Sequence, residues 1–163
     1  MIRFVLIFMF AFSTALLITY YAEDLAEPIF QELLSAFIVL TMITGTLSYA
    51  LYAYVEGVAK DVAADEKKKD HASYGAVIES LSSLKKEILV NAFAAVGLLV
   101  FERVTHGFSL LFPISQTDPF NWHWATAISI RVGCFLLSAY VAAIQFRGFI
   151  VANEYRAIIS RAK

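Results

Sequence analysis

ILVNAFAAVGLLVFERVTHGFSLLFPISQTDPFNWHWATAISIRVGCFLLSAYVAAIQ, residues 88–145, consists of two long apolar segments joined by the polar link PISQTDPFNWH. Each segment exceeds about 20 residues, the length at which a helix crosses the hydrocarbon core of a bilayer. The stretch therefore reads as a transmembrane helical hairpin. Inside it lie Glu102, Arg103 and Arg131. A charge at membrane depth costs about 3 kcal/mol or more, so each needs a partner, a water path or a functional reason. Glu102 lies ten residues before Phe112 and Arg131 seven after Trp124. In an antiparallel hairpin those offsets set the two at similar depth, and a buried Glu102–Arg131 pair is expected. Its role stays open between an ion pathway, selectivity ring or gate in an oligomer and a structural pair, with Arg103 snorkelling to headgroups.

Composition agrees with a membrane protein. The 163 residues are 60% hydrophobic and 17% charged, with mean hydropathy +0.68. A soluble domain of this size is roughly half apolar and a quarter charged. Four spans, a loop and two tails leave no room for a second domain. The net charge of −1 gives no nucleic-acid signal, so no direct nucleic-acid contact is expected. Cys134 is the only cysteine and sits among apolar residues, which excludes a disulfide framework and reads as packing.

Outward from the hairpin, residues 2–21 carry only Arg3 as a charge. The apolar run is longer than a signal-peptide core, and Tyr20 occupies the −3 position of the nearest cleavage pattern, so an uncleaved first span is expected. AEDLAEPIFQE (22–32) follows as an acidic link, and Leu33 to Tyr54 reads as the second span. Residues 56–87 are the one long polar stretch. Val55, Val58, Ala59 and Val62 keep a helical period until DEKKKD (65–70), and Val77, Ile78, Leu81, Leu84 and Ile88 resume it. That pattern predicts helices projecting beyond the membrane as a hairpin. About ten residues past the surface reach roughly 15 Å into water. The third span is expected over 88–112, ending at Gly107 or Pro113 at the earliest and latest. The fourth is expected over 124–146, with Trp122 and Trp124 at the interface and a basic, amphipathic tail over 147–163. Arg3, Lys60, Lys67, Lys68, Lys69, Lys85, Lys86, Arg147, Arg156, Arg161 and Lys163 all fall on one side of this topology, and the two opposite links hold no Lys or Arg. The positive-inside rule then puts both termini and the polar hairpin in the cytoplasm. The fold class is all-α, a four-helix integral membrane bundle.

Each later span carries a polar stripe at helical spacing. Thr41, Thr44, Gly45, Ser48 and Tyr52 share a face of the second, Asn91, Ala95, Leu98, Glu102, His106 and Ser109 of the third, and Arg131, Cys134, Ser138, Ala142 and Gln145 of the fourth. Such stripes line water in a multi-subunit pore, and small or hydroxyl residues are also what helices in lipid pack with. His106, four residues after Glu102, suggests a proton relay or an edge-of-membrane polar pair. No metal-ligand spacing, phosphate loop or nucleophile elbow is visible, so no metal, cofactor or conventional enzymatic activity is expected. Lys67–Lys69 are flanked by Asp65, Glu66 and Asp70 and read as a solvated turn. Lys85, Lys86 and Arg147 suit anionic headgroups, and Val77, Ile78, Leu81 and Leu84 form an apolar stripe able to hold a cytosolic partner.

In layout, with TLSYALYAYVEGVAKDVAADEKKK (46–69) and SSLKKEILVNAFAAVGLLVFE (82–102) as the closest stretches, the chain resembles four-span inner-membrane subunits of bacterial phage-defence systems. The membrane subunit of Rex exclusion and the membrane component of Kiwa are the examples. The resemblance implies a membrane sensor or depolarising pore that works with a cytosolic protein. Three functions follow as expectations: an oligomeric channel-like or membrane-perturbing effector, an anchor that recruits a soluble partner, and a small-solute transporter. No internal repeat supports the last.

Overall fold

The computed structural model describes residues 2–64, 74–111 and 120–161, without the side chains at 23–27, 64, 155–156 and 158–161. These residues form five helices and no strand: α1 (Ile2–Tyr21), α2 (Glu23–Ser35), α3 (Phe37–Ala64), α4 (Tyr74–Ser109) and α5 (Trp122–Arg161). Among the described residues, four stretches are long and apolar enough to cross a membrane: Ile2–Tyr21, Pro28–Ala63, Tyr74–Ser109 and Trp122–Glu154. Large apolar side chains such as Phe10, Met42, Phe93, Phe108 and Phe146 are exposed along them, while Thr44, Glu102, Ser129, Ser138 and Gln145 are buried. Apolar-out and polar-in is the distribution of a chain whose solvent is lipid.

Helix boundaries depart from the sequence reading in three places. Residues 23–32 of the acidic link are helical, and Phe30, Leu34 and Phe37 recur at 3–4 residue steps and all bury, at 6%, 1% and 0% exposure. Between α2 and α3 the helix is interrupted at Ala36 and restarts at once, Leu40 N–H donating to Ala36 O at 2.9 Å. Gly107 does not end α4, which runs to Ser109 and closes with Leu110 N–H on His106 O. The fourth span and the tail are one helix, α5, begun by Asn121, whose Oδ1 accepts from Trp124 N–H at 3.1 Å. That capping contact is worth about 1 kcal/mol. The expected turn at 65–70 and Pro113 with most of its link lie outside the described residues.

The chain forms two compact units, Met1–Met42 with Ala95–Tyr140 and Ile43–Ala94 with Val141–Lys163. The first is centred on Ala15, Phe30, Leu34, Trp124, Ala125, Ile128 and Val132. Trp124, expected at the interface, is thus a core residue, and Trp122 is the exposed one, stacked with Tyr20 and edge-on to Phe120. Helix phase decides this: Trp124 shares the face of Ile128 and Arg131, whereas Trp122 faces away. Close helix approach shows at Gly133, where an added Cβ would lie 2.8 Å from Phe8 Cε2. Gly133→Val is therefore expected to lower stability by about 1–3 kcal/mol through overpacking. Melting of the detergent-solubilised protein reads this, and adding Phe8→Ala should relieve part of the loss.

The second unit is centred on Leu51, Val55, Val58 and Val62 of α3, Leu81 and Ile88 of α4, and Ala152 of α5. Tyr54 joins α3 to α5 through a 3.3 Å hydrogen bond to Asn153 Oδ1 and a ring contact with Phe149.

Candidate functional site

The charged residues of the third and fourth spans meet in the first unit. Arg131 Nε donates to Glu102 Oε1 at 2.7 Å. The Glu102 side chain is 0% exposed and that of Arg131 7% exposed. Antiparallel α4 and α5 bring the two together because both sit on the inward face of their helices, where a carboxylate without a counter-charge would be strongly unfavourable. Arg103 adds a second contact that the sequence reading assigned to headgroups alone. Its Nε lies 2.9 Å from Glu102 Oε2, although its side chain is 40% exposed. Neighbouring helix positions do not face each other, so only a long side chain folding back can reach, and the contact is an ion pair without aligned hydrogen-bond geometry. Two guanidiniums on one carboxylate leave one net positive charge.

An open cavity of about 710 Å³ adjoins this cluster. Arg103 and His106 from α4, Trp124 and Arg131 from α5, and Gln31 and Ser35 from α2 line it. His106 Nδ1 is buried without a hydrogen-bond partner. The contribution of α2 is hidden in the sequence because its acidic residues and Pro28 give 22–32 the look of a link. The 3–4 residue spacing of Gln31, Leu34 and Ser35 was the signal available.

The polar stripes turn inward. Thr41 and Ser48 are buried, and their hydroxyls donate to the Phe37 and Thr44 carbonyls at 2.9 and 2.7 Å. Such back-bonding satisfies a hydroxyl inside its own helix. In the second unit Gln145 Nε2 donates to Ser48 Oγ at 2.6 Å, tying α5 to α3. Asn91, Thr44 and Ser138 are buried too. Ser138 Oγ and Gln145 Oε1 are buried without a hydrogen-bond partner.

The apolar stripe of α4 packs in part on the chain itself. Leu81 is 0% exposed, and Val77, Ile78 and Leu84 pack on the same core as α3 and α5 residues. Val77, Ile78 and Leu84 keep part of their surface exposed, so the chain itself occupies this stripe in part. Lys85 has partners within the chain. Its Nζ lies 3.5 Å from Glu56 Oε2 and 5.0 Å from the Tyr52 ring centroid, while Glu56 also meets Lys60 at 3.0 Å. Lys86 and Arg147 are exposed. Cys134 is fully buried. Among the described residues, no group of His, Cys, Asp and Glu is arranged to hold a metal ion.

Chemically, the arrangement presents a desolvated ion-pair cluster beside a cationic cavity, without a nucleophile–base couple at the cluster. Comparison with family models, with curated proteins and with solved structures finds no match for this chain.

Proposed function

We propose that the chain is a non-enzymatic, oligomeric effector of a bacterial cytoplasmic membrane, channel-like when active, and that the Glu102–Arg131 pair is the latch of its closed state. The observation that carries this reading is the coexistence of a fully buried, doubly paired carboxylate with buried polar atoms that lack partners. An unsatisfied buried polar atom costs about 1–3 kcal/mol. Ser138 Oγ and Gln145 Oε1 lie on the α5 stripe that begins at Arg131. Packing them inside is unfavourable, and a rearrangement that wets them relieves the penalty. A closed state opposed in this way and held by an ion pair is a bistable element, which a trigger can shift. The one-sided distribution of Lys and Arg supports termini and the 65–73 segment in the cytoplasm. The architectural resemblance to phage-defence membrane subunits supports a triggered loss of membrane potential as the output.

Four helices alone pack without a pore, so the active form needs several subunits to contribute polar stripes. Native mass of the complex, extracted gently from its own host, tests this. The proposal expects a homo-oligomer of about four or more copies. A bare monomer, or a stoichiometric complex with one soluble protein, would overturn it in favour of an anchor.

A further inference from the structure

We propose that the cavity beside Glu102 is a binding site for a phosphate-bearing anion, gripped by Arg103 and Arg131. The inference goes beyond the latch reading and can fail or stand without it. Charge comes first: the two guanidiniums exceed the single carboxylate by one positive charge, and both line the cavity. Availability of donors comes second. Each arginine meets Glu102 through Nε, the inner nitrogen of the fork. The terminal amino groups remain as donors, and planar forks recognise phosphate oxygens in pairs. Glu102 thus acts as a positioning residue, fixing two forks around one carboxylate.

The surroundings narrow the ligand. A volume of about 710 Å³ suits a headgroup or small metabolite, since ligand pockets span about 300–1,000 Å³. His106 adds a buried, unpartnered Nδ1 near the same space, and Trp124 forms an apolar wall. Leu110 lines the cavity while 69% exposed, and Ile128 and Leu34 add apolar lining. A polar interior with an apolar rim fits the phosphate diester of an anionic lipid, whose chains would lie along the helix surfaces. A free phosphate offers the same oxygens without the chains.

The test uses the full-length protein in detergent, titrated separately with inorganic phosphate and with short-chain phosphatidylglycerol at matched ionic strength. Thermal melting is the readout. At least one ligand should raise the melting temperature saturably, and Arg103→Gln should weaken the apparent Kd about tenfold, the value of one charge-assisted hydrogen bond. Arg103→Lys, which keeps the charge and loses the fork, should also bind more weakly than the parent. A response to phosphate identifies a soluble anion, and a response to the lipid alone identifies a headgroup. No response to either ligand, or an equal response in the parent and both variants, overturns the proposal. Because Arg103→Gln leaves the Glu102–Arg131 hydrogen bond in place, a negative result here does not bear on the latch.

Discussion

Arg131→Met is expected to destabilise the protein by about 3–5 kcal/mol, the penalty for stranding one member of a buried ion pair. The methionine fills much of the arginine's volume, so the loss reports charge rather than a cavity. Glu102 is 0% exposed and cannot turn to solvent. Arg103 keeps its 2.9 Å contact, but that contact is partly exposed and poorly aligned, so it offsets only a fraction. The discriminating variant is Glu102→Gln with Arg131→Met. Removing both charges leaves a neutral amide that Arg103 can still reach, and replacing a buried pair by neutral groups is often close to neutral in stability. Unfolding of the four variants of this cycle in lipid–detergent mixtures measures the coupling directly. Losses that simply add would show that Glu102 and Arg131 do not depend on each other.

Leu81→Asp should be as severe, and it separates two readings of α4. Leu81 is 0% exposed at the centre of the second unit's core. A carboxylate there has no counter-charge among the core residues, a mechanism that places the change in the tail above about 4 kcal/mol. Folded protein should disappear from membrane fractions. Ser82→Asp, one position along and exposed, is expected to stay within about 0.5 kcal/mol of the parent. If Leu81 instead served a partner, Leu81→Asp would fold normally and lose only that partner.

The contrast between these residues explains what the sequence made legible. Glu102 and Arg131 were found because a charge inside an apolar segment demands compensation, and helix offsets from a shared link fix its depth. The four apolar stretches were legible for the same energetic reason. Arg103 was less so, since an arginine near a span end satisfies itself equally well by snorkelling, and its position beside Glu102 on the helix argues against contact. The cavity needed α2, whose acidic residues and Pro28 masked the apolar spacing of Phe30, Leu34 and Phe37. Trp124 looked like a belt residue because interface and core both favour tryptophan, and only its phase with Ile128 decides. Val77, Ile78, Leu81 and Leu84 announced a buried stripe, but composition does not tell what buries it. Here the chain's own α3 and α5 do.

The most direct test of the latch is recording from planar bilayers that hold the purified protein, parent against Glu102→Gln with Arg131→Gln. The account predicts a parent that stays closed for most of the record and a neutral variant with discrete openings at least about tenfold more frequent, since about 1.4 kcal/mol removed from the closed state shifts the equilibrium tenfold. Silence from both proteins, with incorporation and folding verified, would contradict it and leave the Glu102–Arg131 pair as a structural tie.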